Sequence, residues 1–135
     1  MKRFLVFTAG VLMLSVSLFA HHGTGTSYDM NKVIVLKGVV TKFSFANPHS
    51  QLYFDVTDDK GQVVHWAAEM RSPRNLEAYG HTRQELVEKF APGTSITVTG
   101  DPSKVGAPVL VFGKAVLADG WCLCNNQGGA GKDKP

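Results

Sequence analysis

Charged residues are scarce in this 135-residue chain, at 19% against 44% hydrophobic residues. That balance excludes a disordered acidic or basic tail protein, because such segments owe their expansion to high charge and low hydrophobicity. Net charge is small as well. The 14 Lys and Arg stand against 11 Asp and Glu, and without Lys2 and Arg3, which belong to the N-terminal signal described below, 12 stand against 11. No polyanion footprint remains, so nucleic acid is not an expected partner. Cysteine is nearly absent, with only Cys122 and Cys124, so one core must hold without covalent staples, within reach for a chain that buries about two-thirds of its surface. There is no internal repeat, no Gly-rich phosphate loop, no Ser/His/Asp order and no helix-borne carboxylate pair. Nothing therefore argues for nucleotide chemistry or hydrolysis, and an enzyme is not expected. What is plentiful is turn-forming residues, 14 Gly and 6 Pro.

Lys2 and Arg3 form a short positive segment, and Phe4 to Phe19 is an apolar stretch broken only by small residues before Ala20. This reads as an export signal over residues 1–20, cleaved after Ala20 or alternatively after Ser17, and too short for a stable membrane span. No Cys follows it, which argues against a lipoprotein. The mature chain, periplasmic or secreted, then has about 115 residues, one small domain with no room for a second. If cleavage follows Ala20, the chain begins His21-His22-Gly23-Thr24. A terminal amine and the imidazole of the same residue form a bidentate clamp for Cu(II), and a further His completes a three-nitrogen site. The plainer alternative is two solvated histidines in a flexible arm, assigned here to residues 21–32.

Val33 to Phe45 is long, β-branched and aromatic, with Gly38 suggesting a bulge or bend where the inward face switches. Asn47-Pro48 ends it. Ser50 to Thr57 alternates with Leu52, Phe54 and Val56 on one face. Asp58 to Gly61 supplies a turn, and Gln62 to Met70 returns with Val64, Trp66, Ala68 and Met70 inward. If Phe54 sits opposite Trp66, the same register puts Asp55 opposite His65 on the outer face. Ser72-Pro73 and Thr82 to Glu85 are helix starts, ended by Gly80 and by Pro92-Gly93. Ser95 to Gly100 and Pro108 to Ala118 are two further strands.

The order β-β-β-α-β-β predicts a mainly β fold, a five-stranded OB-like closed barrel over residues 33–120 with a helical segment between the third and fourth strands. An open α+β sheet is the alternative. Phe54, Val56, Trp66, Ile96 and Val98 are expected to share its core, and residues 121–135 to form a disordered tail.

His21-His22, Lys37-Gly38, Asn47-Pro48-His49, the Asp58 to Gly61 turn, Trp66, Ser72-Pro73 with Leu76 and Gly80, and Leu117 to Gly120 together resemble the small exported bacterial proteins grouped as domain of unknown function 6152. The resemblance implies an exported single domain with no assigned reaction. Where such proteins continue with short polar residues, this chain has Trp121-Cys122-Leu123-Cys124.

His21, His22 and His49 are the candidate metal ligands, for copper first and zinc second, with His49 in the loop after the first strand where the arm could meet it. Alternatively His49 hydrogen-bonds a local carbonyl. His65 with Asp55 reads as a cross-strand surface pair. For Cys122 and Cys124 a structural bridge between residues two apart is not expected, which leaves soft-metal binding, an intermolecular disulfide or a redox-labile bridge. The expected function is a non-enzymatic exported binding protein for a metal ion or small ligand. An OB-type module for an oligosaccharide, peptide or envelope protein partner is the runner-up, and a structural envelope accessory the third possibility.

Overall fold

A computed structural model describes residues 24–124 of the chain. Its elements are α1 (Thr24–Ser27), β1 (Ile34–Ser44), β2 (Gln51–Thr57), β3 (Val63–Glu69), α2 (Pro73–Ala78), α3 (Arg83–Lys89), β4 (Ser95–Pro102), β5 (Val109–Leu117) and β6 (Cys122–Leu123). The β2–β3 hairpin takes its register from Asp58, whose carboxylate accepts from the backbone N–H groups of Lys60 and Gln62, both at 2.8 Å. Gly61 completes that turn at φ 77°, a left-handed conformation that glycine adopts without steric cost. Phe54 pairs with Trp66, and with that register Asp55 pairs with His65, as expected.

The strands are ordered β3-β2-β1-β4-β5, and a parallel pairing of β3 with β5 closes them into a barrel. This is the mainly β, OB-like layout expected from the element order, and closure sets aside the open-sheet alternative. The helical segment lies between β3 and β4. Ser72 Oγ accepts the Asn75 N–H at 3.3 Å with Pro73 in the first turn, and Thr82 Oγ1 accepts the Glu85 N–H at 3.1 Å. Leu76 and Leu86 from these helices, with Phe90 just beyond, join Leu52, Phe54, Ile96, Val98, Leu110 and Phe112 in one buried cluster, and Val56 and Trp66 pack against it partly exposed.

Three expectations are corrected. The change of inward face in β1 occurs at Thr41, not Gly38: Val40 pairs with Phe54 but Lys42 with Tyr53, so Thr41 is the extra residue of a bulge. Gly38 answers a different demand, because a Cβ there would run into the Asp55 carbonyl oxygen and the Phe54 ring. Gly100 is the same case against the Val111 carbonyl. The domain also extends past Gly120. The Leu117 N–H donates to the Trp121 carbonyl at 2.9 Å, the Trp121 ring meets Phe90 edge-on at 5.8 Å, and β6 pairs with β5. Apolar surface on Trp121 and Leu123 explains why these residues fold back instead of starting a tail. The Trp121 N–H donates to Asp119 at 2.8 Å and, with Lys89 nearby, holds that carboxyl below its usual range. Third, the arm expected to be loose is fastened from Gly25 onward, as described below. Residues 1–20, read from the sequence as an export signal, His21 and His22, and residues 125–135 lie outside the described residues. No helix among the described residues is long and apolar enough to cross a membrane.

Phe54→Ala, at a fully buried position, is expected to cost about 3–5 kcal/mol in denaturant unfolding, and Trp66→Ala less because its ring is partly exposed. Gly100→Ala should cost about 1–3 kcal/mol through overpacking against the neighbouring strand. A chain whose midpoint ignores both Phe54→Ala and Gly100→Ala would not have this register.

Candidate metal centre

The arm reaches the barrel through backbone bonds first. Tyr28 forms a bridge with Ser103, the Asp29 N–H donates to the Pro102 carbonyl at 2.8 Å, and the Lys104 N–H donates to the Ser27 carbonyl at 3.0 Å. Lys104 Nζ adds a bond to the Gly25 carbonyl at 2.7 Å. The arm therefore runs beside the end of β4. From that rail the Tyr28 hydroxyl donates to Glu69 Oε2 at 3.1 Å. Burial pushes the Tyr28 phenol up to about 12, with the Glu69 charge and hydrogen bond adding to it.

Glu69 is the last residue of β3, and its second oxygen faces His49 Nδ1 at 3.7 Å. His49 is held from the other side of the hairpin. The Ser50 N–H donates to the Arg71 carbonyl at 3.1 Å and the Met70 N–H to the Ser50 carbonyl at 2.9 Å, which fixes the backbone beside the imidazole. His49 Nδ1 lies 3.2 Å from the Met70 carbonyl. A carbonyl can only accept, so Nδ1 is the donor, and in the neutral imidazole this tautomer leaves Nε2 as the nitrogen with a lone pair, the form in which an imidazole ligates a metal. The carbonyl bond foreseen as the plain alternative for His49 thus exists, to Met70, and it leaves the ligating nitrogen available.

Ser50, next in sequence, is fully buried, and its hydroxyl has no hydrogen-bond partner among the described residues.

Of the three expected metal ligands, His49 is described and His21 and His22 lie outside the described residues. Among the described residues no three His, Cys, Asp or Glu side chains gather closely enough to hold a metal. His65 sits on the outer face with Nδ1 2.6 Å from Asp55 Oδ1 and its side chain 83% exposed, the cross-strand pair expected. Tyr28 and Glu69 were missed by sequence reasoning. The available signals were a lone aromatic within a Gly- and Thr-rich arm and an acid closing an otherwise apolar strand. Outside the barrel a groove of about 440 Å³ runs over β1, β2, β4 and β5, with Lys37, Asp55, Thr57 and Thr97 among its lining residues.

A small closed β-barrel with its N-terminal arm tied against one carboxylate and one histidine is the class that these features define. The chain belongs to the family of unknown function DUF6152, whose family model matches residues 9–110. That span takes in His21, His22, Asn47 to His49 and Trp66, and ends before Cys122. A comparison with curated proteins gave no match.

Spectrophotometric titration of the three tyrosines should show one ionising near pH 12, and Tyr28→Phe should remove that step. The folded phenol keeps its proton above the pH at which the unfolded one, near 10.0, loses it. Its contribution to stability is therefore complete below pH 10 and is lost as pH rises toward 12. The wild-type melting temperature should fall more steeply than that of Tyr28→Phe across this window. Ser50→Ala should be neutral or stabilising by about 1 kcal/mol, since it removes a buried hydroxyl without removing a hydrogen bond.

Proposed function

We propose that this chain is an exported, non-enzymatic binding protein that holds a transition metal, copper in preference to zinc, through His21, His22 and His49. The observation that carries this reading is the tie between arm and barrel. Tyr28 is fastened to Glu69, and Glu69 faces His49. Six chain steps separate His22 from Tyr28, a span of about 20–22 Å at full extension, and the helical turn Thr24–Ser27 shortens it. A tether of that length lets the two N-terminal histidines reach His49, whose Nε2 is the nitrogen turned away from the Met70 contact. Cleavage after Ala20 would add a terminal amine beside the His21 imidazole, a donor set suited to tetragonal Cu(II). Glu69 and Tyr28 act as positioning residues, one orienting the His49 ring and the other tethering the arm.

The outer groove with Lys37, Asp55 and Thr97 favours a second reading, an OB-type module for an oligosaccharide, peptide or protein partner in the envelope.

The test begins with the intact mass of the exported protein, expected to start at His21, followed by Cu(II) titration of the same material. Tyr28→Phe should weaken binding about 10-fold and His49→Ala more, with the His49→Ala barrel still folded by circular dichroism. One residue added before His21 should weaken binding although no side chain is lost. Affinity should fall on acidification, because protons compete for the same nitrogens. Binding that ignores both the N-terminal extension and His49→Ala would move the groove reading to first place.

A further inference from the structure

Cys122 on β6 and Cys124 just beyond it are joined as a disulfide, with Cα atoms 5.3 Å apart. The bridge that the spacing argued against is present because the chain draws in between the two cysteines, below the about 6.6 Å that two residues of regular strand span. Their Cα separation then falls well within the range a disulfide bridges, about 4.4–6.8 Å. Leu123 between them points the other way and is fully buried.

We propose that Cys122-Leu123-Cys124 is a reversible thiol–disulfide site whose reduced form binds Cu(I) through both thiolates. The bridge is ill-suited to stabilising the fold. It encloses a single residue, and the shortest loops constrain the unfolded chain least. The segment is held by other contacts: Ala115 pairs with Leu123 and Val116 with Cys122, the Trp121 carbonyl accepts from Leu117, and the Trp121 ring packs on Phe90. Opening the sulfur–sulfur bond removes none of these. β6 is also the last strand of the sheet, paired on one side only, and both cysteines are partly exposed, so an attacking thiolate has access.

The chemistry balances with an external dithiol as reductant. One of its thiolates attacks a protein sulfur and forms a mixed disulfide. Its second thiolate then displaces the remaining protein thiolate, giving the protein dithiol and the oxidised reductant as a cyclic disulfide. Two electrons pass to the protein sulfurs, and the two protons of the reductant follow. Coordination of Cu(I) then replaces both thiol protons with two sulfur–copper bonds. Thiolates are soft ligands that select Cu(I), whereas the amine and imidazole set of the arm suits Cu(II). This inference is independent of the arm site.

The full chain would be reduced with dithiothreitol, freed of it without air, and offered Cu(I) as its coloured bicinchoninate complex. The reduced chain is expected to withdraw one Cu(I) per molecule more than the Cys122→Ser/Cys124→Ser double variant, and His49→Ala should withdraw this increment equally. Circular dichroism and the melting curve should show the reduced barrel still folded, and reoxidation should return a monomer with the internal bridge. Uptake by the reduced chain no greater than that of the double variant would overturn the proposal. Unfolding on reduction, or reoxidation to disulfide-linked dimers, would overturn it too.

Discussion

The parallel pairing of β3 with β5 is the constraint on which the rest of the structure depends. It spans only Ala67 with Val109, Ala68 with Leu110 and Glu69 with Val111, yet without it five strands would be an open sheet with two unsatisfied edges. The Ala67 N–H donates to the Pro108 carbonyl at 3.1 Å just outside the ladder, which extends the seam toward the loop after β4. Ala67 and Ala68 present little bulk there, so the backbones can approach. Glu69 comes next in the same strand, so its carboxylate is positioned by closure itself.

The same belt of hydrogen bonds recruits the arm. Ser103 pairs with Tyr28 on one side, while its N–H donates to the Val109 carbonyl at 3.0 Å on the other. Arm, the end of β4, the start of β5 and the seam strand β3 are therefore joined through one short run of backbone. The Tyr28 hydroxyl then bridges from the arm to Glu69 by side chain. A ligand that drew the arm inward would act on a strand end already locked by the core, so little ordering of the barrel would be left to do on binding.

The strands, the hairpin register and the capped helices were legible in the sequence because each rests on local chemistry: period-two alternation in Leu52 to Val56, the Asp58 turn, and the Ser72 and Thr82 caps. Asp55 opposite His65 followed from the hairpin alone. The face switch at Thr41 was not legible, since a bulge is decided by which partner strand the residue fails to pair with, and glycine at position 38 offered a more obvious place for it. Trp121 to Cys124 escaped for a related reason: a two-residue strand has no periodicity to read, and its order comes from a long-range contact with Phe90. Of the candidate site, His49 was legible as a residue type in a loop. Its neighbours Glu69 and Tyr28 were not, because 20 and 21 residues of chain, in opposite directions from His49, come together only when the barrel closes.

β1 is the longest strand of the domain, rich in β-branched residues, and Val35 and Val39 stand exposed along it, with Val33 just before it. In isolation this is the composition of an amyloid-forming segment. In the folded chain both edges of β1 are occupied, by β2 and by β4, so its exposed valines meet solvent while its backbone can accept no stranger. Strand addition at β1 therefore requires the barrel to open first. Agents that hold β3 against β5 will protect against aggregation in proportion to the closure they enforce.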